Sequence, residues 1–557
     1  MSKDQSNKIN LMIESAYYAM QLGKKNEVQK IYGQLIINAP NDPNFANIFA
    51  QIALQNNLII EGISWLRKSL EINSNQPTVL LNLGTALSEI NEFNDALDCF
   101  NKSIKLDPNN PLVYFNQGLM YRNLNEFDYA LQSYTKALKL NPNYADALNG
   151  IGRISHIREQ YNEAIEYYDK AIQLQPNYSE VIYNKGNLLQ ELKRYDEALA
   201  SYDRAIQLKP DYHEPYNGKG NALQELKRYD EALASYDRAI QLKPDEANAY
   251  WSKSLLKLIQ GDYRKGWELY EWRRQTKETK NNYKVYDRPL WLGKESLENK
   301  TVLVESEQGL GDIIQFCRYI PMLENIGAKV ILEVPKPLIV LIKTLHGKFL
   351  VIEKGQSLPD FDYHIPVMSL PLAFKTEVNS IPASIPYLYS DKIKMEYWNK
   401  KLNKKTKLRI GLVWSGSTIH KNDKNRSLLL EDLELIVQLP FEFHSLQKEI
   451  RENDLSTLIK FKQIHQHQDE LNDFSDTAAL IEEMDLIISV DTSVAHLAGA
   501  LGKDVWVILP YHPDYRWMLN RKDSPWYPNT TLFRKSKIDD WTDVILEVTE
   551  KLNDLLN

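Results

Sequence analysis

The chain has 557 residues, 43% of them hydrophobic and 25% charged, with 67 basic and 74 acidic side chains giving a net charge of −7. This excludes a disordered chain and offers no electrostatic basis for nucleic-acid or anionic-membrane binding. Two cysteines, Cys99 and Cys317, a polar start and no run of about 18 apolar residues exclude a disulfide scaffold and a Cys₄ zinc site, and predict a cytoplasmic protein without a membrane span.

Residues 1–277 are periodic. Pro108, Pro142, Pro176, Pro210 and Pro244 stand 34 residues apart, and Pro40 lies on the same grid. Eight frames starting at 6, 40, 74, 108, 142, 176, 210 and 244 fit without an insertion. A small residue recurs ten positions into each frame: Ala16, Ala50, Gly84, Gly118, Gly152, Gly186, Gly220 and Ser254. A second set includes Ala96, Ala130, Ala164, Ala198 and Ala232, preceded by the aromatics Phe93, Phe127, Tyr161, Tyr195 and Tyr229. This predicts one antiparallel helix pair per frame. Small residues let the helices approach, the aromatic fills the gap beside the turn, and proline separates the pairs. A pair cannot bury its own apolar stripe, so neighbours must stack, with the first frame as a cap.

The rhythm stops near 277, and the polar stretch 278–287 reads as a connector. Short apolar runs follow: 301–305, 328–334, 408–414, 486–490 and 505–509. Helical stretches lie between them, which predicts parallel α/β sheets. A lysine-rich break at 391–407 divides this half into lobes at 288–400 and 401–557. Two Rossmann-like lobes would bind ligand in a cleft at the carboxyl ends of their strands.

Three stretches carry candidate chemistry. Glu307-Gln-Gly309-Leu-Gly311-Asp312 follows a strand and precedes a helical run, Ile313–Leu323. Its glycines permit close backbone approach, and Asp312 can accept a proton from a hydroxyl; the alternative is a plain turn with Asp312 as a cap. Trp414-Ser415-Gly416-Ser417 follows a strand and leads to Lys421, Lys424 and Arg426, of which Arg426 can fork onto a diphosphate. The alternative is a solvated basic loop. Asp491-Thr492-Ser493-Val494 follows a strand and opens a helix that carries His496 one turn on. Free N–H groups there, with the helix dipole, make an anion site; the alternative is capping by Asp491 and a core histidine. Asp360-Phe-Asp362 has no neighbouring ligands, and His465-Gln-His467 lacks a third, so surface histidines are expected.

The frames resemble tetratricopeptide repeats. Residues 287–557 resemble a GT-B glycosyltransferase, and within that class family 9, the lipopolysaccharide heptosyltransferases. The resemblance rests on the Gly311-Asp312 turn with Pro321, and on the Asp491-Thr492 to His496-Leu497 segment. It implies an all-α tetratricopeptide superhelix followed by an α/β GT-B domain of two Rossmann-like lobes. Asp312 would be the base, and Gly309, Gly311, Trp414, Ser415, Gly416, Arg426, Asp491, Thr492, Ser493, Val494 and His496 would hold the donor. Gln447 and Lys448 would meet the nucleoside, with Phe474, Asp476 and Thr477 flanking the base. The donor would be a nucleotide-diphosphate sugar, with no metal or other cofactor and with inversion at the sugar. Repeats joined to such a half also resemble the O-linked N-acetylglucosamine transferases, whose asparagine ladder clamps an extended protein. Asn82, Asn116 and Asn184 fall on the ladder position, while Gly150 and Gly218 interrupt it. The acceptor would be a protein or glycan, and the repeats would hold it or a partner protein. The rival expectation is a non-catalytic scaffold with a degenerate or nucleotide-sensing transferase half.

Overall fold

A computed structural model describes residues 11–556 of the protein, apart from 13, 17, 20–23, 39–40, 421 and 539. The start of the first frame, Pro40 and Lys421 therefore lie outside the described residues. The chain divides into two compact units, Met1–Leu226 and Lys227–Asn557.

Among its described residues the first unit is helical, with no strand. Its described helices are α1 (Lys25–Asn38), α2 (Pro43–Gln55), α3 (Ile59–Ile72), α4 (Pro77–Glu89), α5 (Phe93–Leu106), α6 (Pro111–Asn123), α7 (Phe127–Leu140), α8 (Ala145–Ile157), α9 (Tyr161–Leu174), α10 (Ser179–Glu191), α11 (Tyr195–Leu208) and α12 (His213–Glu225). Within each pair the turn is closed by one left-handed residue: Asn57, Asn91, Asn125, Glu159 or Lys193. Asparagine tolerates that conformation because its short side chain bonds locally. The grid prolines come two residues after a helix end, where a missing N–H breaks no bond.

Of the aromatics the repeat pattern singles out, Phe93, Phe127 and Tyr161 are half-buried at the start of the second helix and Tyr195 is buried. The core is filled by Phe100, Tyr134, Tyr168 and Tyr202, two turns further along the second helix and fully buried. Each of these rings lies on the glycine ten positions into its frame. A Cβ on Gly84 would stand 2.5 Å from Phe100, on Gly118 2.6 Å from Tyr134, and on Gly152 2.8 Å from Tyr168.

The second unit opens with α13 (Tyr229–Leu242), α14 (Ala247–Ile259) and α15 (Tyr263–Tyr270), which belong to the 34-residue rhythm. Two parallel sheets follow. β1 (Thr301–Glu305), β2 (Lys329–Val334), β3 (Leu350–Glu353) and β4 (Tyr363–Pro366) form the first, in the order β3-β2-β1-β4. β5 (Arg409–Val413), β6 (Glu442–Ser445), β7 (Ile464–His465), β8 (Leu486–Val490), β9 (Val505–Leu509) and β10 (Thr530–Arg534) form the second, in the order β10-β9-β8-β5-β6-β7. Counted within its own lobe that is 6-5-4-1-2-3, the order of a doubly wound dinucleotide-binding sheet. β5, β8 and β9 are buried along their whole length, which accounts for their unbroken apolar text.

One local expectation changes. The helix after β1 is α16 (Leu310–Phe316); a 3₁₀ turn interrupts it and it restarts at Ile320. Pro321 lacks an N–H and suits the first turn of a new helix, which sets that break. Within the lysine-rich break α17 (Lys392–Lys401) forms, capped by Asp391, which accepts from the N–H groups of Ile393 and Lys394.

Candidate functional site

In open parallel sheets ligands bind beyond the carboxyl ends of the strands, where the strand order reverses. In the second sheet the reversal lies between β5 and β8. The residues just beyond those ends are Trp414, Ser415 and Gly416 on one side, and Asp491 and Thr492 on the other.

The β5 loop is built around Gly416. A Cβ on it would lie 2.6 Å from Arg426 Nη2, so only glycine leaves room for that guanidinium to lie on the loop backbone. Arg426 Nη1 donates to the carbonyl of Asp491 at 2.9 Å, and its buried Nε has no hydrogen-bond partner. Arg451 holds the same loop, its Nη2 donating to the Gly416 carbonyl at 2.9 Å and to Asp423 at 2.6 Å. The loop thus places at the crevice a cation whose Nε has only the Asp423 carboxylate, 4.0 Å away, as a charge partner.

Across it, α18 (Ser493–Ala500) begins after Thr492 with no side chain capping its first turn. Uncapped N–H groups and the positive end of the helix favour an anion. The Asp491 carboxyl is pushed up to about 6 by burial, reinforced by the nearby Asp514 carboxylate. His496 is buried, its ring stacked on Trp517 at 5.4 Å, and its Nδ1 faces the Tyr527 hydroxyl at 3.1 Å. Burial, with the charge of Arg516, holds its pKa well below the usual histidine value, so the ring is neutral at pH 7.

The first lobe brings Asp312 to the same place. A Cβ on Gly311 would stand 2.9 Å from His496 Cδ2 and 3.3 Å from Ser493 Cα, so this glycine lets α16 meet the start of α18. Gly309 precedes α16 as its cap residue and donates its N–H to Asp312 Oδ2 at 2.7 Å. The other carboxylate oxygen is ion-paired with Arg516 of the second lobe. Burial pushes the Asp312 carboxyl up from its ordinary range, while Arg516 pulls it down. Arg516 also donates to Asp514 at 2.7 Å and to Gln315 at 2.6 Å. Neither Arg516 nor Asp514 stands in any spacing pattern; the only sequence signal is a charged pair in the loop after β9.

The remaining sequence candidates are placed less openly. Gln447 is buried, and its amide nitrogen donates to the Ser415 carbonyl at 2.9 Å and hydroxyl at 2.8 Å. Lys448 is exposed and donates to the Gln468 carbonyl at 3.0 Å. Asp476 accepts the N–H groups of Asn472 and Asp473 at the head of the helix Phe474–Glu482 and pairs with Lys394 at 2.7 Å. Trp414 is a core side chain whose indole N–H donates to Asp454 at 2.9 Å. Val494 is buried in the first turn of the helix that starts at Ser493. The acids of the Asp360-Phe-Asp362 string do local work: Asp362 accepts the Thr301 N–H at 2.8 Å. Among the described residues no three His, Cys, Asp or Glu side chains come together as a metal site. His467, expected at the surface, is buried against His444.

On the repeats, Asn116 donates to Thr85 at 3.2 Å and Asn184 to Asn149 at 3.1 Å. Asn82 is half-buried on the equivalent turn. At the interruptions a neighbouring ring fills the space. A Cβ on Gly150 would lie 2.7 Å from the ring of Tyr134, and on Gly218 2.7 Å from the ring of Tyr202.

Tetratricopeptide-repeat families match residues 77–110, 111–144, 143–211 and 183–263. Among curated proteins, Protein FlbA of Caulobacter vibrioides is 22% identical over 334 residues, covering 54% of each chain. The chain thus spans about half the length of that relative. Among solved structures, YrrB, a repeat protein described as having an unusual peptide-binding site, is 25% identical, covers 34% of this chain and 98% of its own, and has a TM-score of 0.28. A tetratricopeptide repeat protein from Parabacteroides merdae is 16% identical, covers 45% and 99%, and has a TM-score of 0.38. The N-terminal part of the chain is an array of tetratricopeptide repeats, joined to a domain of parallel β-sheets.

Proposed function

We propose that the α/β half is a GT-B glycosyltransferase that moves a sugar from a nucleotide-diphosphate donor to an acceptor hydroxyl. Tetratricopeptide repeats are protein-binding surfaces, so the repeats take a partner or a protein acceptor. One observation supports this reading above the others. A half-buried carboxylate just beyond one sheet, Asp312, and, beyond the other, an uncapped helix start with the partly satisfied Arg426 come together past the carboxyl ends of the strands.

In this reading the diphosphate lies on the first turn of α18 under Arg426. The acceptor oxygen attacks the anomeric carbon, and its proton passes to Asp312. The bond from that carbon to the phosphate oxygen breaks, and its electron pair stays on the diphosphate. Guanidinium and N–H groups already in place stabilise that charge, and removing one such donor costs on the order of 10²–10³ in rate.

The test is calorimetric titration of the full chain with UDP, GDP and ADP, repeated on Arg426→Ala and Asp312→Asn. Selective binding by the wild type, lost in Arg426→Ala and kept in Asp312→Asn, is the expected result. Turnover of the matching nucleotide sugar should then fall at least 10²-fold in Asp312→Asn. A folded chain that binds none of the three overturns the transferase reading and leaves the repeats as an interaction scaffold.

A further inference from the structure

We propose that Arg273, in the segment that ends the last repeat, is a positioning residue for the loop that delivers Asp312. The inference rests on the transferase reading, which makes Asp312 the proton acceptor.

The loop from Ser306 to Gly311 contains a residue in an unfavourable conformation. Gln308 has φ +55°, in the left-handed region that is uncommon and unfavourable for a non-glycine residue. Its side-chain amide donates to the Tyr270 hydroxyl at 3.1 Å. The preceding Glu307 is buried, and its two oxygens accept four hydrogen bonds. Two come from Arg273, from Nη2 at 2.6 Å and Nε at 3.1 Å. One comes from the Tyr283 hydroxyl at 2.7 Å and one from the Met368 N–H at 3.0 Å.

Arg273 is itself wholly buried and fully committed. Its Nη1 donates to Glu271 at 2.8 Å and to the Tyr270 carbonyl at 3.2 Å, and its Nη2 also donates to Ser369 at 2.9 Å. A forked guanidinium fixes a carboxylate in direction as well as distance, which a lysine cannot do. Three of the groups that grip the loop, Tyr270, Arg273 and Tyr283, lie between the end of α15 and the connector, outside both sheets. Their hold reaches Asp312 over a short path. Glu307 and Gln308 are pinned, Gly309 follows, and its N–H holds the Asp312 carboxylate at 2.7 Å. None of Arg273's partners belongs to the anion half of the cleft. Its loss should therefore displace the base and leave the diphosphate site as it was.

The experiment uses the full chain with Arg273→Gln, Arg273→Lys and Tyr283→Phe. Affinity for the nucleoside diphosphate that the wild type binds is measured by calorimetry. Turnover is followed as release of that diphosphate from its nucleotide sugar. Hydrogen exchange is measured across 306–316 and 493–497. A misplacement near 1 Å costs about 10²-fold in rate. Arg273→Gln is expected to lower kcat by about that factor, with KM and diphosphate affinity within about twofold. Exchange at 306–312 rises and that at 493–497 stays. Arg273→Lys recovers part of the rate. Tyr283→Phe, which leaves the buried ion pair intact, moves kcat and loop exchange the same way by less, and decides the matter if Arg273→Gln does not fold. Unchanged exchange at 306–312 in the folded variants, or a parallel loss of affinity and kcat, overturns the proposal. A wild type that binds no diphosphate overturns the transferase reading instead, and the exchange data still decide whether Arg273 holds the loop.

Discussion

Burial moves the proton equilibria of single residues far from their solution values, and the histidines of the second lobe show in which direction. His444 Nδ1 faces His467 Nε2 at 3.0 Å, and the exposed His465 stacks on His444 with ring centres 4.9 Å apart. Burial, with the charges of His465 and Arg409, pushes His444 down to about 3; burial, with His444 and Lys401, pushes His467 down to about 4. Glu442, 3.0 Å from His444 Nε2, and Glu470 near His467 act against the shift without reversing it. Both histidines are therefore neutral in the folded protein at pH 7, and in the unfolded chain they take up protons below about 6.5. The folded pKa lies below the unfolded one, so stability is complete above pH 6.5 and falls as pH drops toward 4. The slope is about 1.4 kcal/mol per pH unit for each histidine. Scanning calorimetry at pH 7.5, 6 and 5 should show the transition of the α/β half moving down, and His444→Gln should make that pH dependence shallower. An equally steep dependence in the variant would remove the histidines as its cause. The same scale shows what was legible in the candidate site. Gly311, Asp312, Asp491 and His496 stand next to strand ends, where pattern marks them. Arg516 and Asp514 lie in an irregular loop, and only the meeting of the two lobes gives them a role. The burial of His467 was hidden for the same reason, since its cover comes from another strand.

At the scale of elements, the repeat period was readable because each helix pair repeats one packing problem. The particular solution was less so, because it depends on which ring meets which backbone. Tyr134, on α7, is gripped by two glycines: a Cβ on Gly118 would stand 2.6 Å from it, and one on Gly150 2.7 Å. Gly118 belongs to its own pair and Gly150 to the next, so one buried tyrosine joins α6, α7 and α8. At 150 the ladder position is filled by the neighbour's ring, which must move to admit an asparagine. Gly150→Asn restores the sequence pattern and should still destabilise the array by about 1–3 kcal/mol, the cost of overpacking a filled core. A thermal or urea transition of the full chain reads the loss, and Gly150→Asn combined with Tyr134→Leu should recover part of it. A single variant as stable as the wild type would mean that the ring has room to move. The short strands β3, β4 and β7 were illegible for a related reason. At two to four residues they carry no period of their own, and each pairs with a longer neighbour.

At the scale of the whole molecule, the 34-residue rhythm and the compact units end in different places. The rhythm runs to 277, while the second unit begins at Lys227. Side-chain packing within that unit gives the physical reason. On α15 and just beyond it, Tyr263, Trp267, Tyr270 and Arg273 follow one another at spacings of three and four, so they share a face. That face is buried against the α/β half. The Tyr263 hydroxyl accepts from the Trp526 indole at 3.1 Å, Trp267 meets Phe316 and Tyr515 edge-on at 6.2 and 5.7 Å, and Arg273 neutralises Glu307. A fragment cut at 280 loses all four side chains. It exposes Phe316, Tyr515 and Trp526 to water and leaves Glu307 without the guanidinium that neutralises it. A fragment starting at 227 keeps the whole face. The expected outcome is that residues 227–557 purify as a folded protein with one cooperative calorimetric transition, and that 280–557 is insoluble or unfolds without one. Equal stability of the two fragments would show that the last repeat is only an end of the array. The predicted difference would show that it is a wall of the second unit, and that a ligand assay on this half must keep it.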